Sequence, residues 1–395
     1  MRPTGSIRQR SKGYFQIRYN LGVDPLTGKR KRVEISHFGT YDSAKQELRR
    51  LLRTIDDRQH VEPNKIKVGE YLTQWLDTIR SQVGPTTHQR YTQIVVHYLI
   101  PRFGNCQLSK LAPVDIQQVY IDWEKGGRVD SKEGGLAPRT RLHMHRVLKL
   151  ALRHAVRMRL IVFNPADNVT APRASKVTIT TLTVEQSATL LAALRGKYIY
   201  WPVLLALATG MRRGEILALR WKNIDFEKKT VRVVESLEQT KKGIRFKAPK
   251  TNRTRAVLLP EYALDELRQR KDEQEKCLDD LKLKQTGETL VCARYDGEPI
   301  WPTSVTHEFT KAMTRLPSLP RVRFHDLRHS HATQLLTAGI HPKIAQERLG
   351  HTTISTTLDL YSHVTDTMQD DAAAKLDTAF RSAMKHISKL PYNLG

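Results

Sequence analysis

The chain has 395 residues, with 66 Lys and Arg against 40 Asp and Glu, a formal net charge of +26 and a pI near 10.1. That length exceeds one ordinary core and predicts two or three domains, and the charge selects a polyanionic partner, with nucleic acid first. The longest apolar run, YIYWPVLLALA at 198–208, is too short to span a bilayer, and no secretory signal opens the chain. Cys106, Cys277 and Cys292 are scattered without CxxC spacing, which argues against a disulfide framework or a zinc site. A cytoplasmic protein with no membrane partner, metal or cofactor is therefore expected.

Residues 5–40 read as three short strands, SIRQR, YFQIRY and RKRVEIS, separated by SKG and VDPLTGK. A helix follows, with Asp42 as its cap and Ala44, Leu48, Leu51, Leu52 and Ile55 as its apolar stripe. Residues 1–60 hold 14 Lys and Arg against 6 Asp and Glu, so this stretch is basic out of proportion to its size. VEPNKIK at 61–67 reads as a linker.

Residues 68–163 have a helical pattern, with breaks expected at VGPTT, PRFGN and KGGRVDSKEGGLAPRT. In the last of these helices Leu148, Ala151, Leu152 and Ala155 line one face, and Arg139, Arg146, Lys149, Arg153 and Arg157 another. Such a stripe is either a solvated face or a track along a phosphate backbone, and the charge of the whole chain favours the track. NPADNVTAPRASKV at 164–177 reads as a second linker.

From 183 onward the pattern is mixed. Helices at 183–195 and 198–208 lead into TGMRRGEI; KTVRVVESL, GIRFKAPK and TRAVLLP follow as three strands, then a charged helix from Glu261 to about Leu283. Gly210 can end one helix in a left-handed turn, with Arg212 in the first turn of the next. Free N–H groups and an Arg fork there would make an anion site.

RVRFHDLRHSHATQLL at 321–336 concentrates cationic and imidazole groups where a helix begins. With a start near Asp326, His325 and Arg328 share one side of the first turn. Three readings stay open for this cluster: a metal held by His325 and His329 or by His329 and His331, a phosphate clamp, or a solvated helix end. Arg328 and the scarcity of carboxylates oppose the metal. Further on, Pro342 suits a first helical turn ending at Gly350, His351 follows on a corner, and Tyr361 lies ten residues beyond in a Thr-rich segment. A phenol downstream of Arg and His groups in so basic a chain points to a tyrosine nucleophile for a phosphodiester.

TGMRRGEI, HDLRHSHAT and LGHTTISTTLDLYSHV, in that order, resemble the tyrosine recombinases, and among them the integrases of temperate phages and conjugative transposons. The resemblance implies a multidomain α+β fold. Residues 1–62 would be a three-stranded sheet plus helix binding arm-type sites, 66–169 an all-α core-site-binding domain, and 176–395 a mainly α catalytic domain with a small antiparallel sheet and a C-terminal helix. It implies that Arg212 and Arg328 clamp the scissile phosphate and that Tyr361 attacks it to form a 3′-phosphotyrosine. His325 and His351 would hydrogen-bond the phosphate, His325 helping to take the tyrosine proton, with Glu215 supporting Arg212. A lysine on the hairpin would protonate the leaving 5′ oxygen. The register of KTNRTRAVLLP selects Lys250, with Lys247 as runner-up among Lys241, Lys242, Lys247 and Lys250.

The same resemblance implies double-stranded DNA with core and arm sites as substrate, a homo-tetramer passing through a Holliday junction, and accessory DNA-bending or excision-directing proteins as partners. Alternatives are a type IB topoisomerase-like relaxing enzyme, a non-catalytic DNA-binding regulator and a metal nuclease. Beyond Tyr361, Met368, Ala372, Leu376, Ala379, Phe380, Ala383 and Ile387 recur at three and four and predict an amphipathic helix. It either packs on its own domain or docks on a neighbouring protomer.

Overall fold

The structure is a computed structural model that describes residues 5–23, 30–56, 65–130, 132–174, 179–248, 254–350, 353 and 365–387. It divides into two compact units, Met1–Lys176 and Val177–Gly395. Helices and small antiparallel sheets are mixed as the sequence predicts. No helix among the described residues is long and apolar enough to cross a membrane.

The first unit opens with an antiparallel sheet of β1 (Gly5–Ser11), β2 (Tyr14–Val23) and β3 (Arg30–Phe38), in that order. Phe15, Ile17 and Tyr19 alternate along β2 onto one face. They form a small cluster with Ala44 and Leu51 of α1 (Tyr41–Asp56), against which Leu48 and Leu52 also pack. The side chain of Ile55 lies outside the described residues. Asp42 is not the cap of α1. Thr40 is: its Oγ1 accepts the Ser43 N–H at 3.2 Å, while the Ser43 hydroxyl accepts the Thr40 N–H at 3.0 Å.

A separate cluster is built by α2 (Val68–Ile79), α3 (Pro85–Ile94), α4 (Ile100–Phe103), α5 (Pro113–Lys125) and α6 (Pro138–Arg157). The break expected at PRFGN falls later. A π turn, Val95–Leu99, joins α3 to α4, and helical structure runs through Pro101 to Phe103. A proline displaces only its own donor and crowds one carbonyl, and a widened turn just before it relieves the crowding. Leu148, Ala151, Leu152 and Ala155 of α6 are fully buried in this cluster, as their spacing predicts.

The second linker begins later than its composition suggests. Asn164 accepts the Ala166 N–H at 3.0 Å and donates to the Lys149 carbonyl at 3.1 Å, and Ala166 is buried with the helices.

The second unit is built around α8 (Tyr200–Thr209), every residue of which from Pro202 onward is buried. Around it lie α7 (Val184–Leu194), α9 (Arg213–Leu217), α10 (Glu261–Asp280), α11 (Pro302–Thr314), α12 (Asp326–Thr337) and α13 (Pro342–Leu349). KTVRVVESL does not form one strand. It divides into β5 (Thr230–Val233), which lies between β4 (Ile224–Asp225) and β8 (Arg255–Leu258), and β6 (Ser236–Thr240), which pairs with β7 (Gly243–Lys247) in a separate hairpin. Between them, Glu235 turns to Arg220, which donates to it at 2.6 Å. The last helix, Thr365–Ile387, leaves Leu376, Phe380 and Met384 60%, 62% and 61% exposed, so this apolar stripe has no cover among the described residues. The side chains of Met368, Ala372 and Ile387 lie outside the described residues.

Candidate active site

The site begins where α8 ends. Gly210 takes φ +66° and returns its N–H to the Ala206 carbonyl at 3.0 Å. A Cβ here would stand 2.6 Å from Leu349 Cδ2 and 2.7 Å from His331 Cδ2. Both the left-handed backbone and the close packing therefore call for glycine.

Arg212 lies one position earlier in the local structure than the sequence suggests. It is the extended residue before α9, and α9 is only five residues long. The expected free N–H groups are not all available, because the Arg212 N–H donates to Glu215 Oε2 at 2.9 Å. Its guanidinium donates to Glu215 Oε1, also at 2.9 Å. Glu215 is 2% exposed and receives a second guanidinium, from Arg255, at 2.6 Å and 3.2 Å. Burial alone would raise this carboxyl. The hydrogen bonds and charges of Arg255 and Arg212 more than offset it and hold the group below the usual carboxylate range.

Arg328 enters from α12 and is 3% exposed. It donates to the Gly210 carbonyl at 2.5 Å and to the Leu349 carbonyl at 2.7 Å. One planar fork thereby ties the end of α8 to the end of α13. Burial, and after it the charge of Arg212, push its pKa down to about 9, so it is still a cation at neutral pH.

His325 immediately precedes α12 and reaches the surface. The protein packed around its ring, followed by His329 and Arg328, holds its pKa at about 4, and Arg212 adds to the effect. It is therefore neutral near pH 7, with an imidazole lone pair that can accept a hydrogen bond. Of the predicted residues, the structure brings Arg212, Glu215 and Arg328 together, and His325 lies within electrostatic reach of both arginines.

His331, named in the metal reading, and its neighbour Asp326 are engaged elsewhere. His331 Nδ1 donates to the Leu207 carbonyl at 2.7 Å, and its Nε2 accepts from Arg348 Nε at 3.1 Å. Asp326 accepts three bonds from Arg323, at 2.8, 2.9 and 2.8 Å. Both arrangements pin α12 in place.

Lys250, His351 and Tyr361 lie outside the described residues. Lys247, the alternative lysine, donates to Glu238 at 2.6 Å across the β6–β7 hairpin. On α6, Arg139, Arg146, Arg153 and Arg157 are exposed as a stripe should be. Lys149 departs from it: it is half-buried and paired with Asp167 at 2.8 Å.

The residue that sequence reasoning missed is Arg255, at the start of β8. Its only signal was its place before the apolar strand in KTNRTRAVLLP, among several equivalent cations.

Residues 180–368 match the family described as Phage integrase family, and residues 67–123 the one described as Phage integrase, N-terminal SAM-like domain. A tyrosine recombinase XerC-like protein of Caldanaerobacter subterraneus subsp. tengcongensis is 27% identical over 390 residues, covering 93% of this chain and 97% of its own. Among solved structures, the Tn1549 transposon integrase in complex with a circular intermediate DNA gives a TM-score of 0.63 at 21% identity, over 78% of this chain and 99% of that one. A lambda integrase tetramer bound to a Holliday junction gives 0.54 at 19% identity, over 88% and 95%.

Proposed function

The chain belongs to the phage integrase family of tyrosine recombinases and is a site-specific DNA recombinase, and on that premise we propose how its own residues divide the work. Arg212 and Arg328 hold the two non-bridging oxygens of the scissile phosphate. The Tyr361 oxygen attacks phosphorus in line. A P–O bond to tyrosine forms, the bond to the 5′ oxygen breaks, and the 3′ end stays on the enzyme. His325 accepts the phenolic proton, Lys250 supplies one to the departing 5′ oxygen, and His351 hydrogen-bonds the phosphate.

Charge builds on the equatorial oxygens during such a displacement, and cations fixed beforehand stabilise it without reorganising. A free tyrosine titrates near 10, so it needs a neighbouring acceptor or cations to attack at neutral pH. The phosphotyrosine conserves the energy of the broken bond, so a 5′ hydroxyl from another strand can displace the tyrosine without ATP.

The observation that carries this reading is that Arg212 and Arg328, 116 positions apart, meet where α8 and α13 end, Arg328 on the Gly210 and Leu349 carbonyls and Arg212 on the Gly350 carbonyl at 3.5 Å, with His325 within electrostatic reach of both. Nothing favours a relaxing enzyme or a regulator over recombination.

For the rest of the chain, residues 1–62 bind arm-type sites, 66–169 the core site and 176–395 carry the chemistry. Three separate clusters of buried residues support this division. The exposed arginines of α6 follow the phosphate backbone. The uncovered stripe Leu376, Phe380 and Met384 supports docking of the last helix on a neighbouring copy, in a homo-tetramer on two duplexes. Accessory DNA-bending or excision-directing proteins assist, and the work takes place on DNA in a bacterial cytoplasm.

The test is strand transfer between two duplexes carrying the element's attachment sequences, without ATP and with a chelator present. Recombinant product is expected. Product that appears only after a divalent metal is restored contradicts the proposed chemistry.

A further inference from the structure

Arg255 places one guanidinium against two of the segments that make the site. Its Nη2 donates to Glu215 Oε2 at 2.6 Å, its Nη1 to Glu215 Oε1 at 3.2 Å, and its Nε to the Arg348 carbonyl at 3.1 Å. A Cβ on Gly350, which has φ +68°, would stand 3.1 Å from Arg255 Cδ. The Arg255 side chain is 11% exposed and that of Glu215 2%. Such a two-pronged contact with a buried carboxylate fixes direction as well as distance.

The balance of charge gives this contact a function. Glu215 is bonded to Arg212 as well as to Arg255. One carboxylate between two guanidiniums leaves one positive charge uncompensated. If Glu215 faced Arg212 alone, that pair would be neutral, in a setting where water screens charges weakly. Arg212 would then meet an anionic phosphate with its own charge already matched.

We propose that Arg255 is a positioning residue for strand cleavage: it compensates Glu215 so that Arg212 keeps its charge for the scissile phosphate, while fastening β8 and the end of α13 to α9. The inference rests on Arg212 being a phosphate ligand. Arg255 acts through Glu215 and Arg212.

A purely structural strut and a charge compensator respond differently to removal of the carboxylate. The rate of covalent adduct formation is measured at saturating protein on nicked duplexes tiling the DNA on both sides of the gene. The variants are Arg255→Gln, Glu215→Gln, the double variant, Arg255→Lys and Arg212→Gln, each also followed by urea denaturation. Arg255→Gln is expected to slow adduct formation roughly a hundredfold, the scale of a misplaced catalytic group, with a much smaller change in the protein concentration that half-saturates the DNA. Adding Glu215→Gln to it should restore about tenfold of the loss, although Glu215→Gln alone slows the enzyme.

A double variant no faster than Arg255→Gln, or Arg255→Gln as fast as the wild type, overturns the inference. If Arg255→Gln alone does not fold, the double variant decides, and one that folds without cleaving overturns it. If neither folds, Arg255→Lys, which keeps the charge and loses the fork, must cleave within about tenfold of the wild type, and a deeper loss overturns it. Arg212→Gln separates the two claims. Full activity there removes the phosphate-ligand reading itself, whereas its inactivity beside a fully active Arg255→Gln removes only the role of Arg255.

Discussion

Arg328 donates to the carbonyl of Gly210 at 2.5 Å, across 118 positions of sequence. The contact is made where α8 ends, and the second arm of the same fork holds the Leu349 carbonyl where α13 ends. An arginine whose fork is fixed by two backbone carbonyls is pre-organised, and in the proposed role as phosphate ligand it would need no rearrangement when DNA arrives.

Arg328→Lys and Arg212→Lys keep a cation but lose the planar fork. Each is expected to lower the rate of cleavage at saturating protein by roughly a hundredfold or more, and to change DNA affinity far less. Binding and cleavage falling together would mean that these residues only help to hold DNA.

Gly210→Ala is expected to destabilise the protein without adding or removing a charge. The left-handed backbone costs an alanine about 1–3 kcal/mol, and the added methyl presses on Leu349 and His331. Urea denaturation checks this, and an unchanged midpoint would contradict the packing at this corner.

Acid should weaken the fold partly through His331. This ring is 5% exposed, and burial, followed by Arg348, lowers its pKa to about 4. The unfolded chain binds a proton near 6.5 and the folded chain does not until about 4. Stability is therefore complete above about 6.5 and falls as pH drops toward 4, by at most about 3 kcal/mol from this group. His145 and His154 are also lowered by burial and add to the slope. His331→Gln should flatten the plot of unfolding free energy against pH between 6.5 and 4. An unchanged slope would show that His331 is protonated in the fold.

Removing residues 1–64 is expected to leave cleavage at core sites intact. Affinity for distal sites should drop, and the dependence of binding on salt should become shallower, because phosphate contacts set that slope. Equal binding of the shortened and full chains to every site on the element's DNA would contradict the proposed role of the first domain.

Replacing Leu376 and Phe380 together by Ala should leave the stability of the isolated chain within about 0.5 kcal/mol, as for exposed positions generally. The effect should appear in native mass measurements on DNA, as loss of the species holding paired sites. Unfolding of the isolated variant would show that the helix packs within its own unit.

The elements with strong periodicity were legible in the sequence. The buried face of α6, the alternation along β2 and the left-handed stop at Gly210 each follow from spacing or from one residue's conformational freedom. What was not legible depends on partners distant in sequence. KTVRVVESL looks continuous, yet Val231 pairs with Val257 while Leu237 pairs with Phe246 in a separate hairpin. Arg255 looked like any other cation because its acceptors, Glu215 and the Arg348 carbonyl, lie 40 and 93 positions away. Lys149 fits the helical stripe by count, but Asp167 holds it instead. The motifs put Arg212, His325 and Arg328 in one set, and the fold leaves them within electrostatic reach of one another. They named the carboxylate, Glu215, but said nothing of Arg255, the second guanidinium bonded to it.

The most direct test of the central claim is to trap the covalent protein–DNA adduct on a nicked duplex, digest it and identify the peptide that carries the nucleotide. The expected result is a 3′-phosphotyrosine at Tyr361, absent from Tyr361→Phe, which still binds the duplex with near wild-type affinity. An adduct that survives in Tyr361→Phe, or that maps to another residue, contradicts the account.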